Sequence, residues 1–215
     1  MCFSPVASFG AGAVLAVAGA AGLRQSQKTS RIPFAAIPLL FSAQQISEGF
    51  VWLHLGGTLP SSIGTAATYA FLLFAQVIWP SWVPFSIWSF ESDPQRKKVL
   101  LALLFLGIFT SLGLGYLLLI FPVKAEVQHY HIFYQLIFPN TPSQVNILYL
   151  ITTGIPCFLC SYRSVRWLGA ALLVSVIVSY VFANAEFISV WCYFAALLSI
   201  MIFFILKRLS THNNT

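Results

Sequence analysis

The chain has 215 residues, of which 59% are hydrophobic, 16% aromatic and only 7% charged, with a mean hydropathy of +0.85. A soluble domain carries roughly 25% charged residues, so this composition excludes a water-soluble globule and makes the lipid bilayer the chain's first partner. The net charge of +6 invites a nucleic-acid reading, but the basic residues are scattered between apolar stretches and form no single patch, which argues against one.

Seven apolar stretches are long enough, or nearly so, to cross about 30 Å of hydrocarbon as helices. They run over roughly 5–23, 33–55, 63–88, 99–121, 145–162, 167–183 and 187–206. The sequence therefore predicts one all-α domain over 1–215, an integral membrane bundle of seven transmembrane helices. Ten of the eleven Lys and Arg residues fall on one side of that arrangement: Arg24, Lys28, Arg31, Arg96, Lys97, Lys98, Arg163, Arg166, Lys207 and Arg208. Only Lys124 falls on the other. The positive-inside rule then places the N-terminus outside and the C-terminus in the cytoplasm, with a bacterial inner membrane as the expected location.

The first stretch follows "MCFSPVASF" and has no charge before its apolar run, so it reads as a retained span and not as a cleaved signal. Cys2 then lies at the outer face, as a metal ligand or reactive thiol, or as a disulfide staple to Cys192 or a plain packing residue. Gly10, Gly12, Gly19 and Gly22 predict close packing against a neighbouring helix.

The second stretch carries "FSAQQISEGFVWLHL". Gln44, Gln45 and Glu48 share one helical face, with Trp52 one turn beyond Glu48. Glu48 falls about 10 Å below the outer end, where an ionisable group marks a functional site unless it fastens helices together. His54 is expected near the outer mouth. In the third stretch, Pro80 and Pro84 predict a kink or break, and Trp79, Trp82 and Trp88 an aromatic belt at the cytoplasmic interface.

The longest connection, 122–144, is outside. Its segment 130–138 is too apolar for a solvated loop, and is expected to lie in the interface or fold over the mouth of the bundle. It brings His129 and His131. Cys157 and Cys160 form a CxxC in an apolar helix, a spacing that here suits buried packing thiols better than redox or metal chemistry. The seventh stretch opens with Glu186 and carries Trp191 and Cys192, with Cys192 at about the depth of Glu48.

The strings "MCFSPVASF", "PFAAIPLLFSAQQISEGFVWL" and "SVWCYFAALLS" resemble a family of small bacterial multi-pass membrane proteins that begin Met-Cys-Phe-Ser and whose function is uncharacterised. The resemblance covers the N-terminus and the second and seventh stretches. It implies a membrane location and many helices, and it supplies no activity. Two other seven-helix classes fit poorly. A retinal protein needs a Schiff-base lysine in its last helix, and none precedes Lys207 here. The alkaline-ceramidase-like hydrolases share the architecture, but their zinc site needs a histidine pair one helical turn apart and an aspartate, and the only Asp here is Asp93 in a loop.

These features give the sequence's functional expectation. An outer-half polar pocket would bind a small molecule, a lipid or a metal ion. Gln44, Gln45, Glu48, Trp52, Glu186 and Trp191 would contact the ligand. Cys2, His54, His129, His131 and Cys192 would supply ligands for a transition metal, zinc or copper. The alternatives are a metal-dependent membrane hydrolase built from the same groups, a transporter with Glu48 as carrier, and a structural assembly subunit.

Overall fold

The computed structural model describes residues 4–26, 29–138 and 143–211. Helix α1 (Pro5–Gln25) starts where Ser4 accepts a hydrogen bond from the Ala7 amide and Pro5 occupies the first turn, a combination that suits a helix start. One 3-10 turn (Thr29–Arg31) leads to α2 (Ile32–Ala35) and α3 (Ile37–Leu55). Pro33 and Pro38 each sit in the first turn of their helix, so the predicted second span is two helices meeting at Ala36.

Helices α4 (Ser61–Leu72) and α5 (Trp79–Phe90) are joined by a π-helical segment, Leu73–Ile78. The prolines therefore do not break the rod: the looser π turns just ahead of Pro80 absorb its missing N–H and its ring. Helix α6 (Pro94–Ile120) is capped by Asp93, which accepts from the Gln95 and Arg96 amides at 2.9 Å each. Its first turns contain Arg96, Lys97 and Lys98, which the sequence places in a loop. Helices α7 (Ser143–Leu159), α8 (Arg163–Phe182), α9 (Phe187–Ser199) and α10 (Met201–Thr211) complete the chain, the last two forming one rod interrupted at Ile200.

Among the described residues, five helical stretches are long and apolar enough to cross a membrane: Pro5–Gln25, Ser61–Phe90, Pro94–Ile120, Arg163–Phe182 and Phe187–Ser210. The 19 residues of α3 are interrupted by Gln44, Gln45, Glu48 and His54, and the apolar part of α7, Val145–Leu159, is shorter. The outward faces of α6 and α8 carry exposed Phe105, Phe109, Leu112, Leu119, Ile177 and Phe182, an apolar surface of the kind that lipid covers.

The all-α expectation needs one correction. Strands β1 (Val123–Gln128) and β2 (His131–Leu136) form an antiparallel hairpin, with Val123 opposite Leu136 and Gln128 opposite His131. Its turn residues, His129 and Tyr130, both have positive φ, 46° and 66°, as a two-residue hairpin turn requires. Ile132 and Tyr134 point inward and are buried, so the hairpin folds over one end of the bundle, against α3, α4 and α9.

At the opposite end the basic connections meet. Arg31 donates to the Leu209 carbonyl, Arg96 to the Leu159 carbonyl, and Ser89 to the Ser30 carbonyl. Glu91 ties two turns together there, accepting from the Ser92 and Asp93 amides and from both the amide and the hydroxyl of Ser161. Burial works against its charged form, but these donors hold its carboxyl below the usual carboxylate range.

Candidate functional site

Helix α3 is the centre of the bundle, packed against α1, α4 and α9. Its close approach to α1 follows from small residues: the Gly12 Cα lies against Ser42 and Ile46, the Gly19 Cα against Leu39, and Ser42 donates to the Gly12 carbonyl at 2.7 Å. Gly22 is buried against Leu206 of α10 and Ala35 of α2, and Gly10 is exposed with nothing against it, so two of the four expected glycines serve the α1–α3 interface.

This packing turns Gln44, Gln45 and Glu48 inward, where all three are completely buried. Glu48 accepts a hydrogen bond from the Ser189 hydroxyl of α9 at 2.6 Å and one from Gln45 Nε2 at 3.3 Å. Helices α3 and α9 therefore touch, and the Glu48–Ser189 hydrogen bond crosses between them. Gln44 Oε1 accepts from the Trp79 indole N–H at 2.8 Å, and the Cys192 thiol lies beside the Gln44 side chain. Tyr134 comes down from β2 to complete the cluster, near both Glu48 and Cys192 and stacked on Phe71 at 4.7 Å between ring centres. Burial, then the neighbouring Glu48 and Cys192, push the Tyr134 phenol well above its ordinary range.

Several buried polar atoms here have no hydrogen-bond partner among the described residues: Gln44 Nε2, Gln45 Oε1, the Tyr134 hydroxyl and the indole nitrogens of Trp52 and Trp191. Such groups are costly to bury, so this concentration marks a site and not merely a tight core.

Below the cluster lies a cavity of about 70 Å³ among α2, α3, α5, α7, α8, α9 and α10. Its wall includes Phe41, Trp79, Tyr149, Cys157, Trp191 and Cys192. Three hydroxyls in the wall are already engaged: Tyr149 donates to the Ala75 carbonyl, Thr153 to the Tyr149 carbonyl and Ser199 to the Ala196 carbonyl. The cavity is apolar, where the sequence leads one to expect a polar pocket. Trp79 is buried between Phe41, 4.0 Å away ring to ring, and Gln44, and so does not join Trp82 and Trp88 in an interfacial belt. Cys157 and Cys160 are buried in the main apolar core.

Among the described residues, the expected metal ligands do not converge. His54 hydrogen-bonds the Leu59 carbonyl at 3.1 Å through Nδ1, and its ring lies flat against Gly64. His129 pairs with Glu186 at 3.0 Å, linking the hairpin turn to the start of α9. His131 lies close enough to feel both charges. Burial lowers its pKa, Glu186 raises it and His129 lowers it, for a net downward shift. Cys192 belongs to the Glu48 cluster instead, and Cys2 lies outside the described residues. Among the described residues, no three His, Cys, Asp or Glu side chains come together to hold a metal ion. Ser189, Tyr134 and Trp79 are the residues that sequence reasoning missed. For Tyr134 a signal existed: Ile132, Tyr134 and Leu136 alternate, the period of a half-buried strand.

The profile of a protein family described as "Family of unknown function (DUF6629)" matches residues 1–215, and the chain belongs to that family. No curated protein and no solved structure matches it.

Proposed function

We propose that this is a seven-span membrane protein that binds a small, mainly apolar ligand from the bilayer, such as an acyl or isoprenoid chain bearing one hydrogen-bond acceptor. The single observation that carries the reading is the cavity whose wall includes Trp191, an indole N–H without an acceptor among the described residues. A cavity of about 70 Å³ is several times the ~10–15 Å³ that one water needs, and an apolar wall gives water few partners. An apolar body with an ester or ketone oxygen would satisfy both the wall and Trp191. The basic end faces the cytoplasm in this reading, and the hairpin end faces the outside of a bacterial inner membrane.

The test is photolabelling of the purified protein in mild detergent with a diazirine-bearing fatty-acyl probe. The expected result is labelled peptides from α5, α7 and α9, lost in Ala195→Phe, which fills the cavity from a buried wall position. Labelling confined to the lipid-facing surfaces of α6 and α8, equal in both proteins, would refute the reading.

A further inference from the structure

We propose that the Glu48 cluster is a binding site for one monovalent alkali cation, Na⁺ or K⁺, separate from the apolar cavity below it. The argument begins with charge. Glu48 is fully buried, and the one ion pair among the described residues is His129–Glu186. No Lys, Arg or His of the described residues balances Glu48. The titratable neighbours that face it are Tyr134 from β2 and Cys192 from α9, and neither supplies a positive charge. A carboxylate kept ionised out of water needs a compensating cation, the alternative being a bound proton.

The donor set fits a hard cation. The Ser189 hydroxyl and the Gln45 amide already touch the carboxylate. Gln45 Oε1 and the Tyr134 hydroxyl are buried oxygens without a hydrogen-bond partner among the described residues, and so is the Ser8 hydroxyl of α1. Gly12 faces Ser42 and Ile46, and Phe9 faces Gly49. That antiparallel register places Ser8, one turn from Gly12 and next to Phe9, at about the level of Glu48 and Gly49. Rotating the Gln45 amide exchanges its N–H group for its oxygen toward Glu48. The result is an all-oxygen set carrying one negative charge. Oxygen ligands select alkali and alkaline-earth ions over softer metals. A single carboxylate neutralises one positive charge, whereas calcium sites commonly gather several carboxylates. The hairpin closes the site from above: Ile132 is fully buried, Tyr134 is stacked on Phe71, and His129–Glu186 fastens the turn to α9.

The experiment uses the full chain in detergent micelles in choline chloride, with NaCl or KCl exchanged in at constant total chloride. Tm and tryptophan fluorescence, to which Trp52 and Trp79 contribute, are followed. The expected result is a saturable rise in Tm with Na⁺ or K⁺ that choline does not produce, abolished in Glu48→Gln. Tyr134→Phe keeps the stacked ring and the carboxylate, and should raise the half-saturating concentration about fivefold or more. It decides the matter even where Glu48→Gln does not fold. Ala195→Phe should leave the half-saturation unchanged, which separates this site from the cavity. Equal Tm in all three salts, or a cation effect that survives both cluster substitutions, overturns the proposal. So does a response to pH alone that Glu48→Gln removes, since Glu48 would then hold a proton.

Discussion

Gly107 and Gly113 stand on the same helix and meet opposite surroundings. A Cβ on Gly107 would overlap the backbone carbonyl of Pro80, while one on Gly113 would meet open space. The Pro80 oxygen is exposed to this approach because Pro84, four residues on, has no N–H to offer it. Gly107→Ala should therefore destabilise the protein by about 1–3 kcal/mol, since a backbone carbonyl cannot swing aside as a side chain can. Gly113→Ala should stabilise it by about 0.5–1 kcal/mol through helix propensity. Thermal unfolding of the two variants in the same detergent checks the pair, and equal effects would show that α6 does not pack on α5 in this way. At this scale the sequence marked Glu48, Gln44 and Gln45, because polar groups stand out at membrane depth. It could not mark Ser189, an ordinary residue until a neighbour makes it otherwise, and the alternation of Ile132, Tyr134 and Leu136 gives Tyr134 an inner face without its meeting with Glu48.

At the scale of elements, prolines, caps and turns decide how the rods are joined. The π segment lets α4 and α5 remain one rod past Pro80, and the Glu91 carboxylate joins the α5–α6 turn to the start of α8 through Ser161. Glu91 has its pKa lowered in the folded protein, so the unfolded chain binds its proton more readily. Its contribution to stability is then complete above the unfolded value of about 4.3 and disappears as pH falls through the folded value below it. Glu91→Gln should reduce stability at neutral pH and flatten the acid limb of a Tm-against-pH curve. Ser161→Ala should cost about 1–3 kcal/mol at neutral pH. An unchanged acid limb in Glu91→Gln would place the acid sensitivity elsewhere. The hairpin is the element the sequence concealed. Its apolar alternation was masked by Phe133 on the outer face and by its position between two spans, so the segment reads as an apolar loop.

At the scale of the molecule, the alternation of ends can be tested directly. Glu126 and Lys98 are both exposed, the first on the hairpin and the second at the basic end of α6. In intact cells, Glu126→Cys should react with a membrane-impermeant maleimide, whereas Lys98→Cys should react only after permeabilisation. The reverse pattern would invert the orientation, and labelling of both from one side would contradict a crossing by α6. Both variants are made on Cys2→Ser, and the interior thiols Cys157, Cys160 and Cys192 are buried and should give little background.

The sequence by itself determined that the chain is mainly helical, that several of its helices are apolar enough to cross a membrane, and that a carboxylate lies among them. Each follows from local composition, because hydropathy and charge act residue by residue against a fixed solvent. Tertiary structure alone decided what the carboxylate meets. Ser189 lies 141 residues from Glu48, and Tyr134 reaches it only because the hairpin folds back over the bundle. It also decided that Trp79 turns inward to Gln44, that His129 is engaged by Glu186, and that the cavity below the Glu48 cluster is apolar. These outcomes depend on which helix faces pack together, and that is set by the shapes of side chains distant in sequence.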